Sequence, residues 1–173
     1  LPLCLLAAAA AGWLVGPALT SLYDTILRAL RDEPGFWWHT YKRVWKQSFK
    51  SSLVPGIVFT LLWVLVAYAA FVLPQMTTVP AGFALVLVVD MVLLLTLGSY
   101  YWMQNALFDA PVSKKLSNCV RMLLGFLPRT ALSAAFQLGY WLLMAVVIPR
   151  CAFIFLLTGL WLPNLLATLA VYA

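Results

Sequence analysis

The stretch FWWHTYKRVWKQSFKSSLVPGIVFTLLWVLVAYAAFVL, residues 36–73, changes character near its middle. Its first part interleaves aromatic and basic residues. At about 100° per residue in a helix, His39, Lys42, Arg43, Lys46 and Lys50 gather on one side, and Trp37, Trp38, Tyr41, Val44, Trp45 and Phe49 on the other. From Leu53 to Leu73 no charge occurs, and the run has about the 20 apolar residues that a bilayer crossing demands. The spacing therefore predicts an amphipathic interfacial helix over 36–50 and a membrane span over 53–73. Pro55 and Gly56, just inside the span, offer a place for the chain to turn between the two.

The rest of the sequence agrees with this reading. Of 173 residues, 65% are hydrophobic and only 9% charged, and the mean hydropathy is +0.98. A soluble domain is about half apolar. Further runs of spanning length cover residues 1–27, 81–103 and the block 130–173. That block is too long for one crossing and divides at Pro149 and Arg150, where proline interrupts the helical ladder and arginine favours an interface. The expected architecture is an all-α membrane protein, a bundle of about five transmembrane helices over 1–27, 53–73, 81–103, 130–149 and 151–173. One or two amphipathic helices accompany it on the cytoplasmic side. The start, LPLCLLAAAAAG, also has the look of a signal-peptide core, but apolar helix-compatible sequence continues past its small residues.

Charge sets the orientation. The chain carries a net charge of +6. Arg28, Arg31, Lys42, Arg43, Lys46 and Lys50 lie between the first two spans, and Lys114, Lys115, Arg121 and Arg129 between the third and fourth. The positive-inside rule makes both connections cytoplasmic, with the first residues outside and the last inside. The helix over 36–50 then meets the anionic inner leaflet, its Trp and Tyr rings at headgroup depth. It serves as an anchor or as a docking surface for a partner; its aromatic face is already claimed by lipid or neighbouring spans, which argues against nucleic acid. The segment 109–129 predicts a second amphipathic helix, with Val120, Leu123, Leu124 and Leu127 on one face and Lys114, Lys115 and Arg121 largely away from them. In the first span, Gly12 and Gly16 permit close helix approach. Asp24 and Arg28, one turn apart, can pair.

Few residues suggest chemistry. Asp90 falls near the middle of the third span, where an ionised carboxylate must face the protein interior, pair or be protonated. Tyr140 reaches a similar depth and is the first expected partner, with Gln137, Asn164 and Arg150 behind it. This intramembrane polar group reads as a proton or solute site, or as a hydrogen bond that joins helices. A single histidine and cysteines at 4, 119 and 151 lack metal-ligand spacing, and no catalytic constellation, cofactor motif or phosphate loop occurs. The expectation is a protein that is not an enzyme and needs no cofactor.

GPALTSLYDTILRALRD (residues 16–32), the spacing of Tyr41, Trp45, Phe49 and Lys50 in YKRVWKQSFKSS, LFD (107–109), NCVRMLLGFLPRT (118–130) and GLWLPNLL (159–166) together resemble the YesL family of small bacterial membrane proteins. These proteins form a domain of unknown function often found beside carbohydrate ABC transporters. The resemblance implies an accessory or regulatory role in carbohydrate import in the bacterial cytoplasmic membrane, with transporter subunits as partners. It supplies no catalytic or ligand-binding residues. The alternatives from the residues themselves are a stand-alone small-solute carrier or channel using Asp90, and a purely structural or lipid-binding membrane protein.

Overall fold

The structure, a computed structural model, describes residues 2–31, 35–76, 78, 80, 82–147, 159 and 161–172. Those residues form helices and no strand: α1 (Pro2–Leu30), α2 (Trp37–Phe71), the single turn α3 (Leu73–Met76), α4 (Phe83–Leu107), α5 (Val112–Gly125), α6 (Leu127–Val147) and α7 (Trp161–Tyr172). Residues 37–75 and α4 are long and apolar enough to cross a membrane, and the bent pair α5–α6 brings the number to three. The expected break at Pro149 and Arg150 lies outside the described residues, and α7 is the described part of the expected last span.

One expectation is corrected in α2. No turn separates the amphipathic segment from the span: a single helix runs from Trp37 to Phe71 with Pro55 inside it. Proline deprives one carbonyl of its donor but does not by itself end a helix that neighbours hold in place. The aromatic and basic segment is thus a rigid extension of the span, with its rings in a ladder along the helix. Trp38 and Tyr41 stack with centroids 6.0 Å apart, and Tyr41 continues to Trp45 at 5.9 Å.

Glycine makes the central contact. The α1–α2 crossing is so close that a Cβ on Gly12 would lie 2.7 Å from the Ile57 Cα, and one on Gly56 would lie 2.5 Å from the Gly12 carbonyl oxygen. At Gly16 it would run into the Ser52 carbonyl. Only residues without a side chain let two backbones meet this way. Pro17, Ser52 and Pro55 are buried at the same crossing. On the Thr20 side of the crossing gathers the core, Tyr23 and Leu27 of α1 with Tyr100, Tyr101, Trp102 and Met103 of α4 and Cys119 of α5.

Proline shapes the turn into α6. Pro128 has no N–H for the Leu124 carbonyl, so the ladder fails near Phe126 and α6 leaves α5 at 98°. Helix α5 consequently lies across the bundle. Its outward stripe is Val112, Leu116, Val120 and Leu124, all exposed, while Lys115 and Cys119 face inward. The expected arrangement, with Lys114, Lys115 and Arg121 largely away from the apolar face, is corrected at Lys115, which turns inward, while Lys114 and Arg121 are exposed and Leu123 packs against the core. On a helix face that meets apolar surroundings exposed leucines carry no penalty, so the inside–outside pattern of a soluble domain does not apply. The expected Asp24–Arg28 pair does form, with Nε 2.8 Å from Oδ2.

Because their contacts are backbone, Gly16→Ala and Gly56→Ala should each destabilise the protein by at least about 2 kcal/mol. Gly139 of α6 has nothing within 4 Å of its Cβ direction; Gly139→Ala should be neutral or gain up to about 1 kcal/mol from helix propensity. Denaturation midpoints in detergent distinguish the two classes.

Candidate functional site

A buried polar junction sits directly inside the glycine crossing. Thr20 of α1 lies one turn beyond Gly16, and its hydroxyl donates to the Gly16 carbonyl at 3.0 Å. Having given its one proton there, Thr20 accepts from Ser52 of α2, whose hydroxyl lies 3.0 Å away. Asn105, near the end of α4, sends its amide group into this pair, with Nδ2 2.9 Å from both the Thr20 and the Ser52 oxygens. Its carbonyl oxygen accepts from Lys115 Nζ at 2.7 Å. The lysine has only protons to offer, which fixes the orientation of the amide.

One side-chain amide therefore joins four helices. The donors run in one direction, from Lys115 through Asn105 to Ser52 and Thr20, and end on a backbone carbonyl; aligned bonds of this kind reinforce each other. Lys115 is only 4% exposed. Burial lowers its pKa, and the Asp109 carboxylate acts in the opposite direction. Four residues away, burial pushes the Cys119 thiol up to about 11.

Beside this junction, a partly open cavity of about 500 Å³ lies between α1, α2, α4, α6 and α7. Phe59, Trp63, Trp102 and Trp141 form an aromatic wall, and Met91, Leu94 and Leu95 an aliphatic one. The polar groups in the wall are few: Tyr23, Thr60, Ser99, Gln137 and Asn164. Tyr23 donates to the Asn164 side-chain oxygen at 2.9 Å. Gln137 Nε2 donates to Ser99 at 2.9 Å and to Ser133 at 3.4 Å.

The polar residues expected to meet within the membrane are divided. Gln137 and Asn164 both line the cavity. Tyr140 is buried nearby, but its hydroxyl donates to the Gly159 carbonyl at 2.7 Å. Asp90 is exposed on the outward stripe of α4 with Val86 and Leu93, so the expected Asp90–Tyr140 pair does not form. Depth along a helix fixes height but not azimuth: Met91, one residue on and about 100° around, faces the cavity that Asp90 does not.

On the arm of α2, Trp37 and the basic residues Lys42, Arg43, Lys46 and Lys50 are exposed, as is Trp38. Tyr41, Trp45 and Phe49 are half-buried. Lys42 Nζ lies 4.9 Å from the centre of the Trp38 ring. Thr20, Ser52, Asn105 and Lys115 were not singled out by the sequence. Thr20 and Ser52 lie well inside α1 and α2, Asn105 near the end of α4 and Lys115 near the start of α5, and only the fold brings them together. Among the described residues, no cluster of three or more metal-ligating side chains occurs.

A family model described as "Protein of unknown function, DUF624" matches residues 5–70. The match covers nearly all of the α1–α2 pair, including Gly12, Gly16, Thr20, Ser52 and Gly56, and ends before α4. No curated protein and no solved structure matches the chain.

Two outcomes follow from the junction. Asn105→Leu strands a buried lysine and should cost about 3 kcal/mol, whereas Lys115→Met should cost about 1 kcal/mol. The double variant should lose less than the sum by about 1–2 kcal/mol, read as a double-mutant cycle in detergent. At pH 8, Cys119 should react with a soluble maleimide about a hundredfold more slowly or worse in the folded protein than after unfolding, because the thiolate is the nucleophile. The rate should rise only as pH approaches the raised pKa. Peptide mass spectrometry separates it from Cys4 and Cys151.

Proposed function

We propose that this chain is a non-catalytic integral membrane protein, accessory or regulatory to carbohydrate ABC import in a bacterial cytoplasmic membrane. The arm of α2 is its partner-facing element. The reading takes α1, residues 53–73, α4, α6 and residues 151–173 as the five spans. The arm and α5 lie at the cytoplasmic face, following the positive-inside rule. The observation that carries it is the arm itself: aromatic and basic residues remain exposed on a rigid continuation of a spanning helix. A rigid helix offers a surface with little ordering entropy left to lose, which favours docking over mere adhesion. The importer link rests on the YesL resemblance. A carrier built on Asp90 is the weaker reading, because Asp90 is exposed on α4 and absent from the cavity wall.

The test is a gentle-detergent pull-down of the tagged protein from its native host, with mass spectrometry of the proteins that accompany it. The expected result is co-purification of an importer's permease or ATPase subunits, lost on charge reversal at one or two of Lys42, Arg43, Lys46 and Lys50. Recovery of the protein alone overturns the reading. Gradual loss of vesicle binding, about 1 kcal/mol per reversed charge, with no co-purifying subunit assigns the arm to lipid instead.

A further inference from the structure

The cavity holds two polar atoms that the protein leaves unused. Gln137 and Trp102 are each 3% exposed, and both line the cavity. Both amide hydrogens of Gln137 go to Ser99 and Ser133, but its carbonyl oxygen has no partner among the described residues. The Trp102 indole N–H has none there either. Tyr101 carries the one fully enclosed polar side-chain atom without a partner among the described residues, so the Gln137 oxygen and the Trp102 nitrogen open onto the cavity. Gln137 is tied to Ser99, and the Trp102 nitrogen is 4.0 Å from the Cβ direction of Gly98, the residue before Ser99, so both belong to the α4 side of the cavity.

Unpaired polar groups in an otherwise apolar site are costly, and a ligand that satisfies them gains by doing so. A group that can satisfy both an acceptor and a donor is a hydroxyl, which donates to the Gln137 carbonyl and accepts from the indole N–H. A free sugar does not suit this cavity, because its many hydroxyls would meet rings and aliphatic chains. We infer that the cavity binds a membrane-dissolved molecule with an apolar body and a single hydroxyl head, the head seated between Gln137 and Trp102. The body lies along Phe59, Trp63 and Trp141. The volume is within the range of about 300–1,000 Å³ that small-ligand sites occupy.

The test uses the full chain in phosphatidylcholine vesicles with two photoreactive probes, a diazirine-bearing dodecanol and the matching dodecane. Adducts on residues 91–102 and 137–141 report the cavity, and adducts on the outward α4 stripe around Asp90 report probe dissolved in the bilayer. The alcohol should label the cavity saturably and be displaced by plain dodecanol, while the alkane labels it no more than the outward stripe. Gln137→Leu should lower cavity labelling by the alcohol about fivefold, the value of one neutral hydrogen bond, and leave labelling by the alkane unchanged. Gly98→Leu supplies a second variant: its Cβ has ordinary van der Waals room, 3.7 Å from Phe59, but the longer side chain fills the head site and should remove the adducts. Equal cavity labelling by alcohol and alkane, or adducts that survive both substitutions, overturns the proposal and leaves a slot for lipid tails.

Discussion

The contact between the backbones of α1 and α2 governs the rest of the molecule. Gly12, Gly16 and Gly56 bring the two helices together so closely that no side chain fits at the crossing, and without a hydrophobic force between helices in lipid, such packing is a main source of association. The consequence appears one turn further along. Thr20 and Ser52 come within hydrogen-bond distance only because the helices below them already touch. A crossing wider by one methyl group would separate the two hydroxyls and leave Asn105 with nothing to bridge.

The junction then transfers the position of the first pair to the rest of the chain. Asn105 reads two hydroxyls on two different helices, and Lys115 reads Asn105. Each step is directional, so a slip of α4 by one residue turns the amide away from both oxygens. Nonpolar packing around it, Tyr23 and Leu27 against Tyr100 and Tyr101, tolerates small displacements far better than a hydrogen bond does. The two kinds of contact thus divide the work: apolar surface holds the helices together, and the polar junction fixes their register. The family match over residues 5–70 covers the pair that creates the junction and stops before the residues that complete it.

Helices were legible in the sequence because composition alone decides them in so apolar a chain. The Gly12–Gly16 spacing and the Asp24–Arg28 pair were legible for a related reason, since both are spacings of one turn within a single helix. The placement of Gln137 and Asn164 on one cavity was harder to read, and that of Asp90 was misread. Hydropathy carries almost no azimuthal information when every face of a helix is apolar, so depth was the only coordinate left to match. Lys115 shows the same gap from the other side. In water its charge would place it outward; here the apolar stripe Val112, Leu116, Val120 and Leu124 takes the outward place, and the lysine turns to the Asn105 carbonyl oxygen.

Asp90 brings these strands together. Its carboxylate shares the outward stripe of α4 with valine and leucine, and in hydrocarbon such a group is costly when ionised, by about 2.5–3.5 kcal/mol on insertion scales and more on others. The hydroxyls of α4 itself, on Thr96 and Ser99, donate to carbonyls of their own helix. Polar satisfaction among the described residues is local and complete around Asn105, and incomplete at the enclosed Tyr101 hydroxyl, inward at Gln137 and Trp102, and outward at Asp90. The inward gap is enclosed by rings and takes a small molecule. The outward gap lies on an open helix face, where a lipid headgroup drawn inward or another helix supplies what the chain itself withholds.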